Sequence, residues 1–160
     1  MCPSVVADKG IVYSIGGRKN TAIAVRAGGR GDVTKTHLLW KSSYGSNVSS
    51  PIFHKGPVYW FHEGRGVAYC LDAATGKLVY RERLTPRPGL TYASTIVADG
   101  KLYCVSQYNG AYVLAAEPKF RPLAHNVLED DKSRVNGCMA VSDGHLFLRT
   151  DSAIYCIGKK

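Results

Sequence analysis

The chain has 160 residues, 45% of them hydrophobic, which is enough to bury a core. Because no run of about 20 apolar residues occurs, no transmembrane helix is expected, and no signal peptide is recognisable. The formal net charge of +9 would suit nucleic acid or another anionic surface. The Lys and Arg residues form no block, however, so solvated turn charges are favoured over a nucleic-acid surface.

Four copies of a short pattern divide the sequence. Each copy has a glycine, an aromatic residue three positions later, and a Ser or Cys six positions before the glycine. The glycines are Gly10, Gly56, Gly100 and Gly144, which lie 46, 44 and 44 residues apart. The aromatic residues are Tyr13, Tyr59, Tyr103 and Phe147, and the Ser or Cys residues are Ser4, Ser50, Ser94 and Cys138. A period of about 44 residues with four short strands per unit predicts the blades of a β-propeller. An ordinary β-sandwich is the alternative.

The predicted elements follow this repeat along the chain. The first copy has strand-forming runs at 4–7, 11–15, 21–26 and 38–41, with a glycine-rich loop at 27–36. The second, at 50–80, is the complete copy. In the third, the turn at Asn109-Gly110 predicts a tight hairpin, and two prolines suit an outer edge strand over 120–127. No window shows sustained helical periodicity, so little or no helix is expected.

The fourth copy, from Met139 to Ile157, stops after its third strand. We expect a single propeller segment over 1–160, with blades at approximately 3–42, 48–82, 92–128 and 136–158 and the last blade incomplete. Since an exposed sheet edge invites pairing with another strand, we expect the segment to belong to a seven- or eight-bladed propeller. A ring closed by a second copy and a small four-bladed ring are the alternatives, and open blade edges would also allow self-association.

Five Cys residues stand at 2, 70, 104, 138 and 156, without a C-x-x-C pair. This odd count predicts neither a disulfide framework nor a zinc site, although one disulfide stays open. Cys70 and Cys156 share one repeat position, which predicts a small apolar side chain packed between blades. The acidic run Glu129-Asp130-Asp131 is interpreted as a solvated loop rather than a calcium site, because its spacing is not that of an EF-hand.

The run from Leu71 to Tyr80, L-D-A-A-T-G-K-L-V-Y, resembles the blade motif of the pyrroloquinoline-quinone-type propeller repeat. That motif reads A-x-D-x-x-T-G-x-x-x-W, and Tyr80 stands where the motif has Trp. The stretch from Ser94 to Tyr103 is similar to its other half, S-P-x-V-x-D-G-x-V-Y. The whole chain resembles the C-terminal half of a quinoprotein-alcohol-dehydrogenase-like propeller protein, and stretches 27–33, 123–126 and 155–159 look like the planctomycete-type subgroup.

The resemblance implies an all-β β-propeller with about four blades of four antiparallel strands. Quinone-dependent dehydrogenases of this family carry a vicinal Cys-Cys pair, a calcium site built from Glu and Asn, and a catalytic Asp. No two Cys are adjacent in this sequence, and nothing matches the calcium or catalytic pattern residue by residue. The family also includes non-enzymatic members, such as the propeller lipoprotein of the outer-membrane barrel assembly machinery, and propellers appended to bacterial Ser/Thr kinases.

The leading functional hypothesis is a non-catalytic propeller scaffold, without a cofactor, that recognises a protein or a small polar ligand. The first alternative is a fragment of a quinone-dependent dehydrogenase whose pyrroloquinoline quinone and calcium residues lie outside this chain. The second alternative is a basic surface that binds an acidic polymer with steep salt dependence. No G-x-S-x-G elbow or similar frame is present, so no catalytic residue is predicted. The resemblance implies a periplasmic or secreted protein.

Ligand-binding residues are expected on one face of the propeller. If the first strand of each blade runs from top to bottom, the turns between second and third strands share a face with the links between blades. We call this the loop face, and loops on rigid scaffolds often carry function. His62 and Glu63 are predicted to point to opposite sides of a strand end, which disfavours a joint metal site. The residues expected on the loop face are Arg18, Lys19, Asn47, His62, Glu63, Arg65, Tyr92, Gln107, Tyr108, Asn109, Arg134, Asn136, Arg149 and Asp151, and the predicted ligand-binding set is Asn47, Arg65, Tyr92, Asn109, Arg134, Asn136 and Arg149.

Overall fold

The computed structural model describes residues 3–17 and 19–158, and these are almost entirely β-structure. Four antiparallel sheets follow one another along the chain, and within each sheet the strands pair in sequence order. The predicted all-β fold of propeller blades with an incomplete last unit is therefore confirmed. The helix α1 (Thr34–His37) is a single turn in the glycine-rich loop. In the described ranges, no helix has the length and hydrophobicity that a membrane crossing requires.

Three sheets have four strands and the fourth has three. The first sheet contains β1 (Val6–Asp8), β2 (Ile11–Gly16), β3 (Thr21–Arg26) and β4 (Leu38–Ser42). The second contains β5 (Ile52–Phe53), β6 (Pro57–Phe61), β7 (Val67–Asp72) and β8 (Leu78–Arg83). The third contains β9 (Ile96–Ala98), β10 (Lys101–Val105), β11 (Ala111–Ala115) and β12 (Pro122–Asn126). The fourth contains β13 (Ala140–Ser142), β14 (His145–Arg149) and β15 (Ile154–Ile157).

The repeated glycines close the first hairpin of each sheet. Strands β1 and β2 pair Asp8 with Ile11, which leaves a two-residue loop at Lys9-Gly10. Both loop residues have positive φ, 45° and 77°, as two-residue hairpins that follow the strand twist require, and glycine adopts this conformation without steric cost. Asp99-Gly100 and Asp143-Gly144 form corresponding loops. The period found in the sequence is therefore the period of this turn.

Three buried cores hold neighbouring sheets together. The core between the first and second sheets includes Tyr13, Trp60 and Tyr69, and the rings of Trp60 and Tyr69 stack at 5.1 Å between centroids. Two further cores join the second sheet to the third and the third to the fourth. Within the described residues, no such core joins the fourth sheet to the first. The accessible surface of 9325 Å² also exceeds the roughly 7,900 Å² of a compact monomer of this mass, so the sheets form an open arc.

A ladder of hydrogen bonds runs from sheet to sheet through the Ser and Cys of the repeat. The N–H of Ser4 donates to Oγ of Ser50 at 2.9 Å, and the N–H of Ser50 donates to Oγ of Ser94 at 3.1 Å. The N–H of Ser94 continues the ladder to Sγ of Cys138 at 3.1 Å. A small side chain with an acceptor atom recurs at this position because each copy satisfies the backbone donor of the copy before it.

Trp40 of β4 packs on the turn that follows β7 and so links the first sheet to the second. Its Nε1 donates to the carbonyl oxygen of Ala73 at 2.8 Å, and its ring covers Gly76, where an added Cβ would stand 2.5 Å from ring atom Cδ2. The Asp72 carboxylate shapes this turn by accepting from the N–H and the hydroxyl of Thr75 at 2.8 and 2.6 Å. The Asp and Thr of the blade motif therefore fix the turn, and its Gly leaves room for an indole ring.

Cys70 and Cys156 occupy equivalent places but different environments. The two positions are equivalent, since Cys70 pairs with Tyr59 and Cys156 pairs with Phe147. Cys70 is fully buried against the third sheet, whereas Cys156 is exposed. The prediction of a packed side chain is right for Cys70 and wrong for Cys156, because no following sheet covers Cys156 within the described chain.

Asp131 organises the link between the third and fourth sheets. Its carboxylate accepts hydroxyl hydrogen bonds from Ser133, Thr150, Ser152 and Tyr155 at 2.6–2.9 Å, together with the N–H of Ser133. The Ser133 and Thr150 hydroxyls are the main causes that hold the pKa of Asp131 far below its usual range. The acidic run lies in a loop, as interpreted, with Glu129 and Asp130 exposed. The hydroxyl donors to Asp131 were not predicted, because they come from residues up to 24 positions away.

Candidate functional site

The links between sheets share one face with the turns between second and third strands. In the link after the second sheet, the N–H of Thr91 donates to the carbonyl oxygen of Glu63, and the carbonyl oxygen of Leu90 accepts from the N–H of Gln107, both at 2.9 Å. This link thus bridges the turns of two neighbouring sheets, and the loop face has a backbone fixed by hydrogen bonds. The next link repeats the arrangement 44 positions later through Val135, Gln107, Arg134 and Asp151.

A polar cluster lies on this face between the first and second sheets, formed by Asn20, Ser46, Asn47, His62 and Glu63. Oε2 of Glu63 accepts from the Ser46 hydroxyl at 2.5 Å and from the N–H of Asn47 at 3.2 Å. Nδ2 of Asn47 donates to Oδ1 of Asn20 at 2.6 Å. The Asn47 side chain is therefore engaged by its neighbours, and it helps to join the two sheets.

His62 and Glu63 are in contact, with Nδ1 and Oε2 at 3.3 Å, so the prediction that they point to opposite sides is wrong. Residues 62–66 form a turn rather than a strand end. Nδ1 of His62 also lies 3.2 Å from the N–H of Gly64, and its Nε2 lies 3.4 Å from Nδ2 of Asn20. Burial is the main cause that lowers the pKa of His62, with Arg65 and Arg81 adding to it and Glu63 opposing it. His62 is therefore neutral at neutral pH.

Glu63 stays ionised in the same cluster. Burial by itself raises the pKa of Glu63, but the hydrogen bond from Ser46 and further contacts with His62 and Asn47 outweigh it, so the net shift is downward. A neutral imidazole beside an ionised carboxylate at neutral pH forms a stable polar network. Ser46 and Asn47 belong to the link after the first sheet, so their hydrogen bonds to Glu63 join that link to the second sheet's turn.

Two further predicted residues pair with turn residues at the other end of the loop face. Oδ1 of Asn136 accepts from Nε2 of Gln107 at 2.6 Å. Nε of Arg134 lies 3.3 Å from Oδ2 of Asp151, and both side chains are about half exposed. An ion pair this open to water contributes little stability. Arg134 and Asp151 can therefore give up their ion pair and bind groups of a ligand instead.

An exposed apolar ridge crosses the loop face over the link after the second sheet. It consists of Leu90, Tyr92 and Tyr108, which are 46%, 40% and 63% exposed. We call these three residues the aromatic ridge. Leu90 approaches Gly64 of the second sheet's turn, and its backbone is bonded to Gln107, next to Tyr108. Leu90 and Tyr92 lie on the link, and Tyr108 lies on the turn between β10 and β11 to which the link is hydrogen-bonded. Exposed large apolar side chains that lie on adjoining segments are a feature of interaction surfaces.

The seven predicted ligand-binding residues fall into three groups. Asn47 and Asn136 are tied to neighbouring turns, as described above. Asn109 shapes its own turn, since its N–H donates to Oγ of Ser106 at 2.7 Å and its Nδ2 donates to the carbonyl oxygen of Pro88 at 3.0 Å. The remaining members, Arg65, Tyr92, Arg134 and Arg149, are exposed, as are Asn109 and Asn136. Arg18 of the wider loop-face set lies outside the described residues.

Leu90 and Asn20 were not predicted from the sequence. Leu90 stands between Gly89 and Thr91, and a single apolar residue in a link is an ordinary surface feature, so its signal comes only from its place beside Tyr92 and the turn of Tyr108. Asn20 carried no such signal, because its role comes from contact with Asn47 and His62, 27 and 42 positions away.

A calcium ion with pyrroloquinoline quinone was the cofactor pair of the first alternative. Glu63, Asn47 and Asn20 bring the appropriate residue types together, but Oε2 of Glu63 and Oδ1 of Asn20 already accept hydrogen bonds. A calcium ion needs those oxygen lone pairs for itself. No group of three or more His, Cys, Asp or Glu in the described chain could hold a metal, and no two Cys are adjacent. The described residues therefore do not form a calcium site, and the first alternative places the calcium and quinone residues outside this chain.

Comparison with protein-family models and with curated proteins gives no match. Solved structures do match. BamB from Moraxella catarrhalis is 16% identical with a TM-score of 0.74, over 97% of this chain and 45% of BamB. The computationally designed Ika4 protein is 15% identical with a TM-score of 0.67, over 96% of this chain and 89% of Ika4. A quinohemoprotein alcohol dehydrogenase from Pseudomonas putida HK5 is 15% identical with a TM-score of 0.63, over 92% and 28% of the two chains.

The chain thus spans less than half the length of BamB and of the alcohol dehydrogenase. Identities of 15–16% carry information on the fold and not on the activity. The fold is that of the β-propellers to which quinone-dependent dehydrogenases belong.

Proposed function

We propose that this chain is a binding segment of a β-propeller, and that it recognises a protein on its loop face through the aromatic ridge. The observation that carries the proposal is the exposure of Leu90 and Tyr92 on a link whose backbone is hydrogen-bonded to two sheets, and of Tyr108 on the adjoining turn of the third sheet. Tyr supplies a large contact area at low entropic cost, and aromatic residues are enriched where interfaces bind most strongly. A backbone that is already ordered lowers the entropy cost of binding.

The charges around the aromatic ridge specify the partner further. Arg65 and Arg87 are both exposed. Arg87 precedes Leu90 in the same link, and Arg65 follows Gly64, which Leu90 approaches. A chain of net charge +9 attracts acidic partners. Arginine with tyrosine is the pairing typical of strong protein contacts. We therefore propose an acidic protein segment as the ligand, on a propeller of seven or eight blades that lies in the periplasm or outside the cell, as the family resemblance suggests.

The test selects acidic peptides from a random display library on the 160-residue chain and measures their affinity by fluorescence anisotropy. Tyr92→Ala and Tyr108→Ala should each weaken binding about thirtyfold, because aromatic residues at the centre of an interface contribute about 2 kcal/mol. Leu123→Ala is the matched control, since Leu123 is 42% exposed on outer strand β12, away from the loop face, and it should bind as the unchanged chain does.

Two results would overturn the proposed function. One is a set of selected peptides that binds the Tyr92 and Tyr108 variants as tightly as the parent chain. The other is binding that falls steeply with salt for any polyanion, which would indicate the acidic-polymer alternative. A modest salt dependence with loss in the Tyr variants supports the proposal.

A further inference from the structure

An open groove of about 370 Å³ lies at the outer strand of the second sheet. Its walls are formed by Val67 of β7 and by Arg81, Glu82 and Arg83 of β8. Val67 belongs to the core between the first and second sheets, so the groove lies on the side of the second sheet that faces the first. Each of these two sheets has four strands, and the groove is framed by both.

The two arginines of β8 project from the same face of their strand. Arg83 pairs with Val67 and Arg81 pairs with Tyr69, and both partners face the first sheet. Alternate residues of a strand lie on one face, about 6–7 Å apart along the chain, so the two guanidinium groups can reach one small ligand. Glu82, which stands between the arginines in the sequence, belongs to the opposite face of the strand.

The charges of these two arginines are not neutralised by carboxylates. Arg81 and Arg83 are exposed, and neither forms an ion pair with any of the residues that the structure describes. Burial lowers the pKa of His62, and the charges of Arg65 and Arg81 lower it further. The positive charge of Arg81 therefore acts on the neighbouring turn as well, and the groove presents two unpaired cations to an anion.

The hydroxyl of Tyr69 positions Arg81 and has a hydrogen left to donate. Nε of Arg81 donates to the Tyr69 hydroxyl oxygen at 3.2 Å. The Tyr69 ring is 2% exposed and is held by Trp60 at 5.1 Å and by Tyr44 at 5.8 Å between ring centroids. The hydroxyl hydrogen of Tyr69 has no acceptor among the described residues. An anion held by Arg81 would supply that acceptor, and hydrogen bonds to charged groups are the stronger ones.

This set of donors specifies the kind of anion. The planar fork of a guanidinium group matches the oxygens of a carboxylate or of a phosphate in bidentate fashion. A carboxylate has two oxygens in one plane, which a single guanidinium group can occupy. A tetrahedral dianion offers oxygens in several directions, and two guanidinium groups together with a hydroxyl group can bind them at the same time. Phosphate and sulfate groups therefore fit the groove better than a carboxylate does.

We propose that this groove binds a tetrahedral oxyanion, either the free ion or the phosphate or sulfate group of a small molecule. Arg81 and Arg83 supply the positive charges, and Tyr69 donates its hydroxyl hydrogen. The groove is formed by residues other than the three of the aromatic ridge. The inference therefore does not depend on the proposed recognition of a protein on the loop face.

The test titrates the 160-residue chain with inorganic phosphate and with phenyl phosphate, and nuclear magnetic resonance follows the arginine Nε–H signals. The ionic strength is kept constant, so that the screening of surface charges does not change during the titration. We expect a saturable shift of the Arg81 signal, because its Nε–H is held by the Tyr69 hydroxyl. Tighter binding of phenyl phosphate would identify a monoester as the ligand, and equal binding would identify the free ion; both results support the proposal.

Substitutions of exposed side chains test the individual contacts. Arg81→Gln and Arg83→Gln should each weaken phosphate binding about tenfold or more, because each removes charge-assisted hydrogen bonds; the signal of the remaining arginine reports binding in each variant. Arg30→Gln is the matched control, since Arg30 is exposed in the glycine-rich loop of the first sheet and the change in net charge is the same. Glu82→Gln should strengthen binding about two- to threefold, because a negative charge is removed from beside the anion.

Three outcomes would overturn the inference. The first is a shift that does not saturate and is the same at Arg30 as at Arg81, which would indicate diffuse attraction to a basic surface. The second is phosphate binding by the Arg81→Gln and Arg83→Gln proteins that equals that of the parent chain. The third is binding of acetate as tight as that of phosphate. The Tyr92→Ala protein should bind phosphate normally, so a failure of the proposed loop-face function and a failure of this inference are distinguishable.

Discussion

The contact between Trp40 and Gly76 allows the most direct test of how the first and second sheets are held together. Gly76 has φ of +69°, and an added Cβ would stand 2.5 Å from Cδ2 and 2.6 Å from Cε3 of the Trp40 ring. A Gly76→Ala substitution therefore has two costs. The left-handed conformation costs an Ala about 1–2 kcal/mol, and displacement of a rigid ring from a packed site costs about 1–3 kcal/mol more.

Gly100→Ala is the matched control for the first of these costs. Gly100 has φ of +65°, and nothing lies within 4 Å of the position that its Cβ would take. We expect Gly100→Ala to lower the free energy of unfolding by about 1–2 kcal/mol. The Gly76→Ala variant should lose a further amount of about 2–4 kcal/mol, because the displaced ring also gives up about 1 kcal/mol from its hydrogen bond to Ala73.

Urea unfolding followed by circular dichroism measures both variants, and a Trp40→Ala background completes the cycle. Without the indole ring, Gly76→Ala should cost no more than Gly100→Ala, because only the backbone conformation remains unfavourable. If the two glycine substitutions prove equally destabilising in the parent chain, the reasoning about the packed ring is refuted. If the extra cost persists in the Trp40→Ala background, another contact is responsible.

Three further outcomes are expected. Ser94→Ala should lower the free energy of unfolding by about 1–2 kcal/mol, because the N–H of Ser50 loses its acceptor; no change relative to the exposed control Ser43→Ala would contradict the ladder. Burial raises the pKa of Cys70 to about 12 and raises that of Cys104 as well. Among the described cysteines, an aromatic disulfide reagent at pH 8 should therefore modify the exposed Cys138 and Cys156 first. Equal rates for all four would show that the buried pair is accessible. Folding lowers the pKa of His62, so the contribution of His62 to stability is fully present above about pH 6.5 and is lost as the pH falls towards the folded pKa. The slope is at most about 1.4 kcal/mol per pH unit. A His62→Gln variant should lack this slope in urea midpoints between pH 7 and 5, and an unchanged slope would assign the effect to another group.

The features that sequence reasoning predicted correctly depend on neighbouring residues. The two-residue loops at Asp99-Gly100 and Asp143-Gly144 require positive φ at both positions, and glycine at the second position marks them in the sequence. The turn held by Asp72 and Thr75 likewise depends on residues three positions apart. Local backbone requirements of this kind restrict which residues can stand at a position, and the same restriction recurs in each sheet.

The site was harder to predict because its contacts join distant parts of the chain. Asn47 was predicted to bind a ligand, yet it is held by Asn20 and Glu63, which are 27 and 16 positions away. Tyr92 and Arg65 were placed correctly on an exposed face, since turns and links are exposed in any packing of the sheets. No property of the Asn47 side chain alone distinguishes an amide bound to a neighbour from one available to a ligand.

The sequence by itself determined the period, the turns and therefore the succession of sheets, because each of these follows from residues within one copy. Only the tertiary structure decided which residues at the same repeat position also have the same surroundings. Cys70 and Cys156 share a repeat position, and one is buried while the other is exposed. The reason is physical: burial depends on the sheet that packs against a residue, and that sheet is encoded elsewhere in the chain or in another chain.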